Sequence, residues 1–506
     1  MNETPDIESQ PPRGFFRRLF SWRSLRRALI GLFALITLIG LLVTEENWRG
    51  KHDWDTYRQE QEAKGEKFDW AAFAPPSAPD DQNFLAAPAF ADLVEGKTPF
   101  NPYPKSDKQY DYALGDWQKD SPTDLKSWQR AYRQLRVDDN GFAFPATPQP
   151  QTSAADVLFA LSKFDPQVEA LRLASLRPYA YIPIPYDQGI NEAATTLLPY
   201  LSATKRCAQI LQLRAIAELA DGHSSNALQD VELLLRVNDS LRNSPLLISQ
   251  LVQIAIVGYE IQPVWEGLAE HQWSDQQLVD LDASLAREDF LADYELAMRG
   301  ERACAISTFE IMRHTGEIVV SSADGNNTTV KMTWMPNAFF YQNELAFARL
   351  YQRYLLPLVN TNSRTISPET WRKIDAQAQA ERNYLSPYST MARMTAPALD
   401  AAVKRFAFAQ SSMDLARVGC ALERYRLAHG QYPVSLAALE PQFIAQVPHD
   451  IINGQPLHYR LKPEGLFILY SVGWNETDDG GVVVIDKKPG RVNWQQGDWV
   501  WQYPEK

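Results

Sequence analysis

The chain has 506 residues, 45% apolar and 22% charged, a globular composition too long for one ordinary core. Its net charge of −12, with no large basic patch, excludes a general nucleic-acid binder. Cys207, Cys304 and Cys420 lie far apart, which excludes a disulfide framework or a CxxC metal site.

The first predicted element is an anchor. Ala28 to Val43 reads ALIGLFALITLIGLLV, with no charge. As a helix it covers ~24 Å, short of a ~30 Å hydrocarbon core. Arg26 and Arg27 can snorkel at one end and Thr44 extends the other, so 28–44 is expected to form a single span. The basic tail over 1–27 carries Arg13, Arg17, Arg18, Arg23, Arg26 and Arg27, whereas Glu45 and Glu46 follow the span. The positive-inside rule then puts the N-terminus in the cytoplasm and exports the bulk. Leu41 to Glu45 offer no small-x-small cleavage site, so an uncleaved anchor is expected rather than a signal peptide. With no disulfide pattern in the exported part, the expected setting is a bacterial inner membrane with a periplasmic body.

Residues 45–150 are polar and proline-rich, predicting a loop-rich segment with short helices such as Asp124 to Leu135. Phe84, Phe90, Trp117, Trp128 and Tyr132 imply that it wraps a folded body; a flexible spacer is the other reading. Residues 151–395 read as an irregular helical body. Thr152 or Ser153 caps a first helix through Phe164; further helices end near Gly222, run from Ala227 to Leu241, and start again at Ser244-Pro245. That last run is apolar enough to suggest a second span, but Gln250, Gln253, Glu260 and Gln262 would be costly in lipid, so a core helix is expected. Asp275 to Leu296 and Pro336 to Leu356 continue the pattern, with Gly316–Trp334 between them as a hairpin or extended loop. Helix pairs roughly 40 residues apart are compatible with repeat stacking, although the tetratricopeptide signature is absent.

Residues 396–506 predict one long helix to about Ala428, ended by Gly430, and then a small antiparallel sheet, an α+β unit. Asn453-Gly454 marks a hairpin turn; Leu457 to Leu461, Gly465 to Val472 and Val482 to Asp486 read as strands. The fold class is thus mainly α, with a small C-terminal α+β head and one N-terminal membrane helix. Between the last two strands, Asn475, Glu476, Thr477, Asp478 and Asp479 crowd side-chain oxygens ahead of Gly480 and Gly481. Either this is a solvated turn, or Asn475, Asp478 and Asp479 converge on a hard cation such as calcium, with carbonyls completing the shell. The spacing is not that of an EF-hand.

The order of these residues resembles the periplasmic head of the major pseudopilins of type II secretion. The matching positions are Tyr425, Gly430, Tyr432, Pro433, Leu436 and Leu439, then Pro448, Asp450, Gly454 and Pro456 with one extra residue before the glycine. Ser471, Gly473, Asp478, Asp479, Gly480 and Gly481 follow, with Asn475 standing where the family has aspartate. The resemblance covers about the last 90 residues and implies a calcium ion in the final loop. It does not extend to the N-terminus, where Gly14-Phe15-Phe16 runs into Arg17-Arg18 and no prepilin-peptidase site exists. Lys404, Arg405, Asp414, Arg417, Glu423 and Arg424 also make the long helix unfit for a filament core in lipid. The overall layout resembles an uncharacterised family of single-span bacterial envelope proteins.

No HExxH, G-x-S-x-G, P-loop or dinucleotide fingerprint is present. His449-Asp450 with His458 could form a small metal or base site, or could support the hairpin from the surface. The expected role is therefore scaffolding or binding, without catalysis. The expected partners are the membrane and an envelope protein or glycan, not nucleic acid. Two alternatives stay open: an envelope hydrolase acting on cell wall or polysaccharide, whose carboxylate pair would leave no local signature, and an accessory component of a secretion machine.

Overall fold

Helix takes 63% of the described residues and strand 9%, so the chain is mainly α, with small sheets near the C-terminus. The computed structural model describes residues 22–76, 78–97, 100–104, 114–135, 137, 143–188, 190–321, 327–381, 388, 390–463, 465–487 and 491–504. The basic tail before Trp22 lies outside them. Two compact units emerge, one of Met1–Gly65 with Phe309–Leu345 and one of Glu66–Thr308 with Ala346–Lys506.

In the first unit, helix α1 runs from Trp22 to Glu62. It is long and apolar enough to cross a membrane, and none of its most apolar window is buried by protein. Its apolar side chains from Leu29 to Leu42 are 50–72% exposed. The helix continues well past the expected end at Thr44, for two local reasons. Glu46–Arg49, Lys51–Asp55 and Arg58–Glu62 pair one turn apart at 2.6, 2.5 and 2.7 Å. Asn47 Oδ1 also accepts a 2.7 Å bond from the Ala338 amide, and Trp54 and Tyr57 are buried.

The second unit begins with short elements, among them α2 (Pro88–Val94) and α3 (Leu125–Leu135). Phe84, Phe90, Trp117, Trp128 and Tyr132 are all buried, so this segment does wrap the body. Then come α4 (Ser153–Leu161), with Thr152 as its cap, α5 (Asp165–Ser175), α6 (Ile190–Ala220), α7 (Ser224–Asp239), α8 (Leu247–Ala269), α9 (Asp275–Leu285) and α10 (Phe290–Thr315), whose residues from Phe309 on belong to the first unit. The single run expected over Asp275–Leu296 is thus broken, because Asp289 caps a new helix through the Ala292 amide at 3.2 Å.

Helix α8 is a core helix, with two thirds of its apolar window buried. Gln250 and Gln253 are used inside the core, whereas both Glu260 oxygens are buried with no hydrogen-bond partner among the described residues. The Gln250 amide donates to the carbonyls of Leu241, Arg242 and Ser244, closing the end of α7. Gln253 donates to Glu288 and Asp293, which face Arg242.

Strands β1 (Glu317–Ser321) and β2 (Asn327–Lys331) pair antiparallel as one hairpin, which meets the expectation for this stretch. Helix α11 covers Asn337–Leu350 and α12 covers Pro368–Glu381, with the short pair β3 (Val359–Asn360) and β4 (Thr365–Ile366) between them. The long helix α13 (Thr390–His429) packs on α8 and α9, and Gly430 ends it at φ 77°. Strands β5 (His458–Leu461), β6 (Phe467–Ser471) and β9 (Trp499–Gln502) form the order β5-β6-β9, all antiparallel. The strand expected over Val482–Asp486 does not join this sheet. It forms β7 (Val483–Ile485) and pairs with β8 (Val492–Gly497) instead. The partner beside β6 is the tryptophan-rich C-terminus, where Trp501 packs against Gly419 of α13; a Cβ there would come within 3.1 Å of the indole.

Candidate functional site

The oxygen-rich loop between β6 and β7 was the site legible in the sequence, and the structure divides its residues. Asn475 and Asp479 come together, the Asn475 amide donating to Asp479 Oδ2 at 2.8 Å, while Asn475 Oδ1 takes the Thr477 amide. Asp478 points elsewhere. Its Oδ1 accepts from the Tyr470 hydroxyl and the Gly480 amide, both at 2.9 Å, and its Oδ2 lies 3.4 Å from His458 Nδ1. Those donors, the Gly480 N–H first and the Tyr470 hydroxyl next, hold the Asp478 carboxyl below its ordinary value. Glu476 pairs with Arg372.

The residue that organises the loop is Asp498, between β8 and β9, to which sequence spacing gave no pointer. Its carboxylate accepts from the amides of Asp479, Gly481 and Val482 at 3.3, 2.6 and 3.2 Å. Burial pushes this carboxyl up, against the downward pull of those N–H groups. Asp450 does the same for the end of β6, accepting from Ser471 Oγ and the amides of Val472 and Ile452. It thus acts as a buried backbone brace, and His449 contacts the Arg364 carbonyl at 3.3 Å. Among the described residues, no three His, Cys, Asp or Glu side chains are grouped as metal ligands.

A second region has the opposite character. Three adjoining hollows of about 410, 280 and 470 Å³ run along the second unit, and Gln118 lines all three. Each has a volume near or within the usual range of a ligand site. One wall is the segment 114–123, held to α8 by Gln262 and Glu266: Gln262 Oε1 accepts the Trp117 amide at 2.7 Å, and Glu266 Oε1 accepts from Thr123. Gly115 is required there, since a Cβ would fall 2.3 Å from Gln262 Nε2. The opposite walls are α13 and β8.

The floor is a stack of rings. Phe408 of α13 lies between Trp494 of β8, at 4.9 Å and 5° between planes, and Trp117, at 6.3 Å and 19°. Trp499 meets Phe408 edge-on. Trp117 and Phe408 are buried, whereas Trp494 is half-buried; its indole N–H is held by Gln118 Oε1 at 3.3 Å, which fixes the ring plane. Gly258 of α8 lines two of the hollows, and a Cβ built there meets nothing within 4 Å. A mid-helix glycine costs roughly 1 kcal/mol relative to alanine, and here it keeps the trough open.

The rim is cationic in an acidic protein. Lys119, Lys404, Arg405 and Arg491 line the first hollow against Asp116 and Asp486. Lys119 pairs with Asp116 at 3.0 Å and Lys404 with Asp400 at 2.8 Å. Asp486 accepts from the Asn493 amide at 3.0 Å. The guanidinium groups of Arg405 and Arg491 have no partner among the described residues and are exposed. Trp117, Arg405, Phe408, Arg491 and Trp494 were not predicted as a site. They come from three separate stretches of chain, and no local spacing marks them.

The chain matches no family model, and no curated protein or solved structure matches it.

Proposed function

We propose that this chain is a single-span bacterial envelope protein that binds an envelope polymer through the Trp494 trough and performs no catalysis. Helix α1 supplies the anchor, and the basic tail before it orients the body to the periplasm. The observation that carries the reading is the trough itself, an aromatic floor open at Gly258 with two arginines on its rim that have no partner among the described residues. Its two lining carboxylates each have a partner other than one another, which suits recognition better than paired acid–base work. The C-terminal part is read as a pseudopilin-like head reused on a helical body. Support comes from two of its motif segments, which meet at Asp450 and Ser471.

The test uses the full-length chain in detergent, passed over immobilised envelope glycan and envelope protein fractions. Retention by one fraction is expected, reduced at least tenfold by Gly258→Leu, whose Cβ meets nothing within 4 Å, and by Trp494→Ala. Retention unchanged in both variants would sink the trough as the binding surface.

A further inference from the structure

We infer that, resting on the binding role proposed above, the ligand of the trough is an acidic polysaccharide whose sugar rings carry carboxylates. Three features select it. The hollows adjoin one another around Gln118, so one occupant can contact more than one of them. The Trp494 ring, backed by Phe408 at 4.9 Å, offers a flat fixed platform on which the C–H face of a pyranose packs. Arg405 and Arg491 stand beside that platform with no partner among the described residues, and a guanidinium fork matches a carboxylate in two hydrogen bonds. A ligand that uses both must carry its anionic groups on the rings themselves.

A peptide fits less well. A peptide adding to β8 as a further strand would need its free backbone groups. The Gln495 amide is already taken by Asn493 Oδ1 at 3.0 Å, and the Trp494 carbonyl by the Trp499 indole at 3.2 Å. The local charge also inverts that of the protein: four cations and two carboxylates line the first hollow, in a chain of net charge −12.

The probes are oligogalacturonate, a neutral glucose oligomer of equal length, polyglutamate and oligothymidylate. Each is titrated into the full-length chain in detergent, with tryptophan fluorescence as the readout. Oligogalacturonate is expected to bind at least tenfold more tightly than the other three, with an affinity that falls as salt rises. Arg405→Gln with Arg491→Gln, both at exposed positions, should remove that preference, and Trp494→Ala should weaken binding tenfold or more. Equal binding of the neutral oligomer, unchanged by the arginine substitutions, would overturn the acidic ligand and leave the trough as a glycan site. Tighter binding of polyglutamate or oligothymidylate would overturn the polysaccharide. If oligogalacturonate does not bind, the inference falls; if no probe binds and Gly258→Leu leaves retention of the envelope fractions unchanged, the trough falls with it.

Discussion

The loop over Asn475–Val482 and the trough under Trp494 both draw on the C-terminal strands, yet they treat their polar groups in opposite ways. The loop is dense in oxygen atoms, and nearly every one is used inside the protein: Asp478 by Tyr470 and Gly480, Asn475 by Thr477, Asp498 by three amides. The trough is also lined by polar side chains but leaves Arg405 and Arg491 without partners among the described residues, and leaves open space at Gly258. Folding tends to satisfy polar groups locally wherever it can, so density alone does not mark a site. What marks one here is a charged group that the fold leaves free to meet a ligand.

The sharpest break in that comparison is at Asp498. Asp498→Ala strands three amides at once, and a hydrogen bond to a charged acceptor contributes ~1.5–3 kcal/mol, so the loss should be about 3 kcal/mol or more. Asp498→Asn keeps one accepting oxygen and should lose clearly less. Arg405→Gln is the mirror case in the trough: an exposed, unpaired side chain whose removal should stay within ~0.5 kcal/mol. Urea unfolding of the full-length chain in detergent reads all three. An Asp498→Ala variant as stable as Arg405→Gln would show that the loop is not held as described.

The next effect depends on pH. Glu423 of α13 is a satisfied group like those of the loop, accepting from Arg426 at 2.7 and 2.9 Å, His271 at 2.9 Å and Tyr432 at 3.0 Å. Burial raises its carboxyl, but Arg426 and His271 outweigh burial and hold it down to about 2. A carboxylate depressed in the folded state contributes stability above its unfolded value of ~4.3, and that contribution is lost as pH falls from there toward 2. Asp293 shows the contrary sign. Burial pushes it up to about 8 despite Arg242, so its contribution weakens as pH rises from about 4 to 8. Glu423→Gln should flatten the acid limb of the stability profile, and Asp293→Asn the limb between pH 5 and 8. An acid limb unchanged by Glu423→Gln would refute the first assignment.

How much of this was legible in the sequence depends on range. The membrane-length helix, the Thr152 cap, the burial of α8 and the stop at Gly430 are all written within one or two helical turns, where periodicity and capping act. The extension of α1 to Glu62 was readable in principle from its i,i+3 and i,i+4 charge pairs, but the proline-rich composition of the segment after Phe73 masked it. The placement of β9 beside β6 was not readable, because Val482–Asp486 and Trp499–Gln502 are equally strand-like and only packing on Gly419 separates them. The trough was least legible. Trp117 and Trp494 reach it from ends of the chain hundreds of residues apart, and Gly258 looks like any helix glycine until the space beside it is seen.

The smallest expected effect concerns calcium at the loop. The resemblance to pseudopilin heads implies an ion there, with Asn475, Asp478 and Asp479 as side-chain ligands. In the structure Asn475 turns its amide nitrogen toward Asp479, and Asp478 faces Tyr470, so binding would have to exchange existing hydrogen bonds for metal contacts. A loop that already satisfies itself gains little from such an exchange. With a dissociation constant near ~1 mM, calcium at ~1 mM would stabilise the chain by only ~0.4 kcal/mol. A thermal midpoint measured with and without millimolar calcium should therefore move by a degree or two at most, and Asp478→Ala should abolish the movement. A rise several times larger would place the loop beside the trough as a true ligand site. It would also mean that Asp498 holds the three amides in register for an ion, and does not merely replace one.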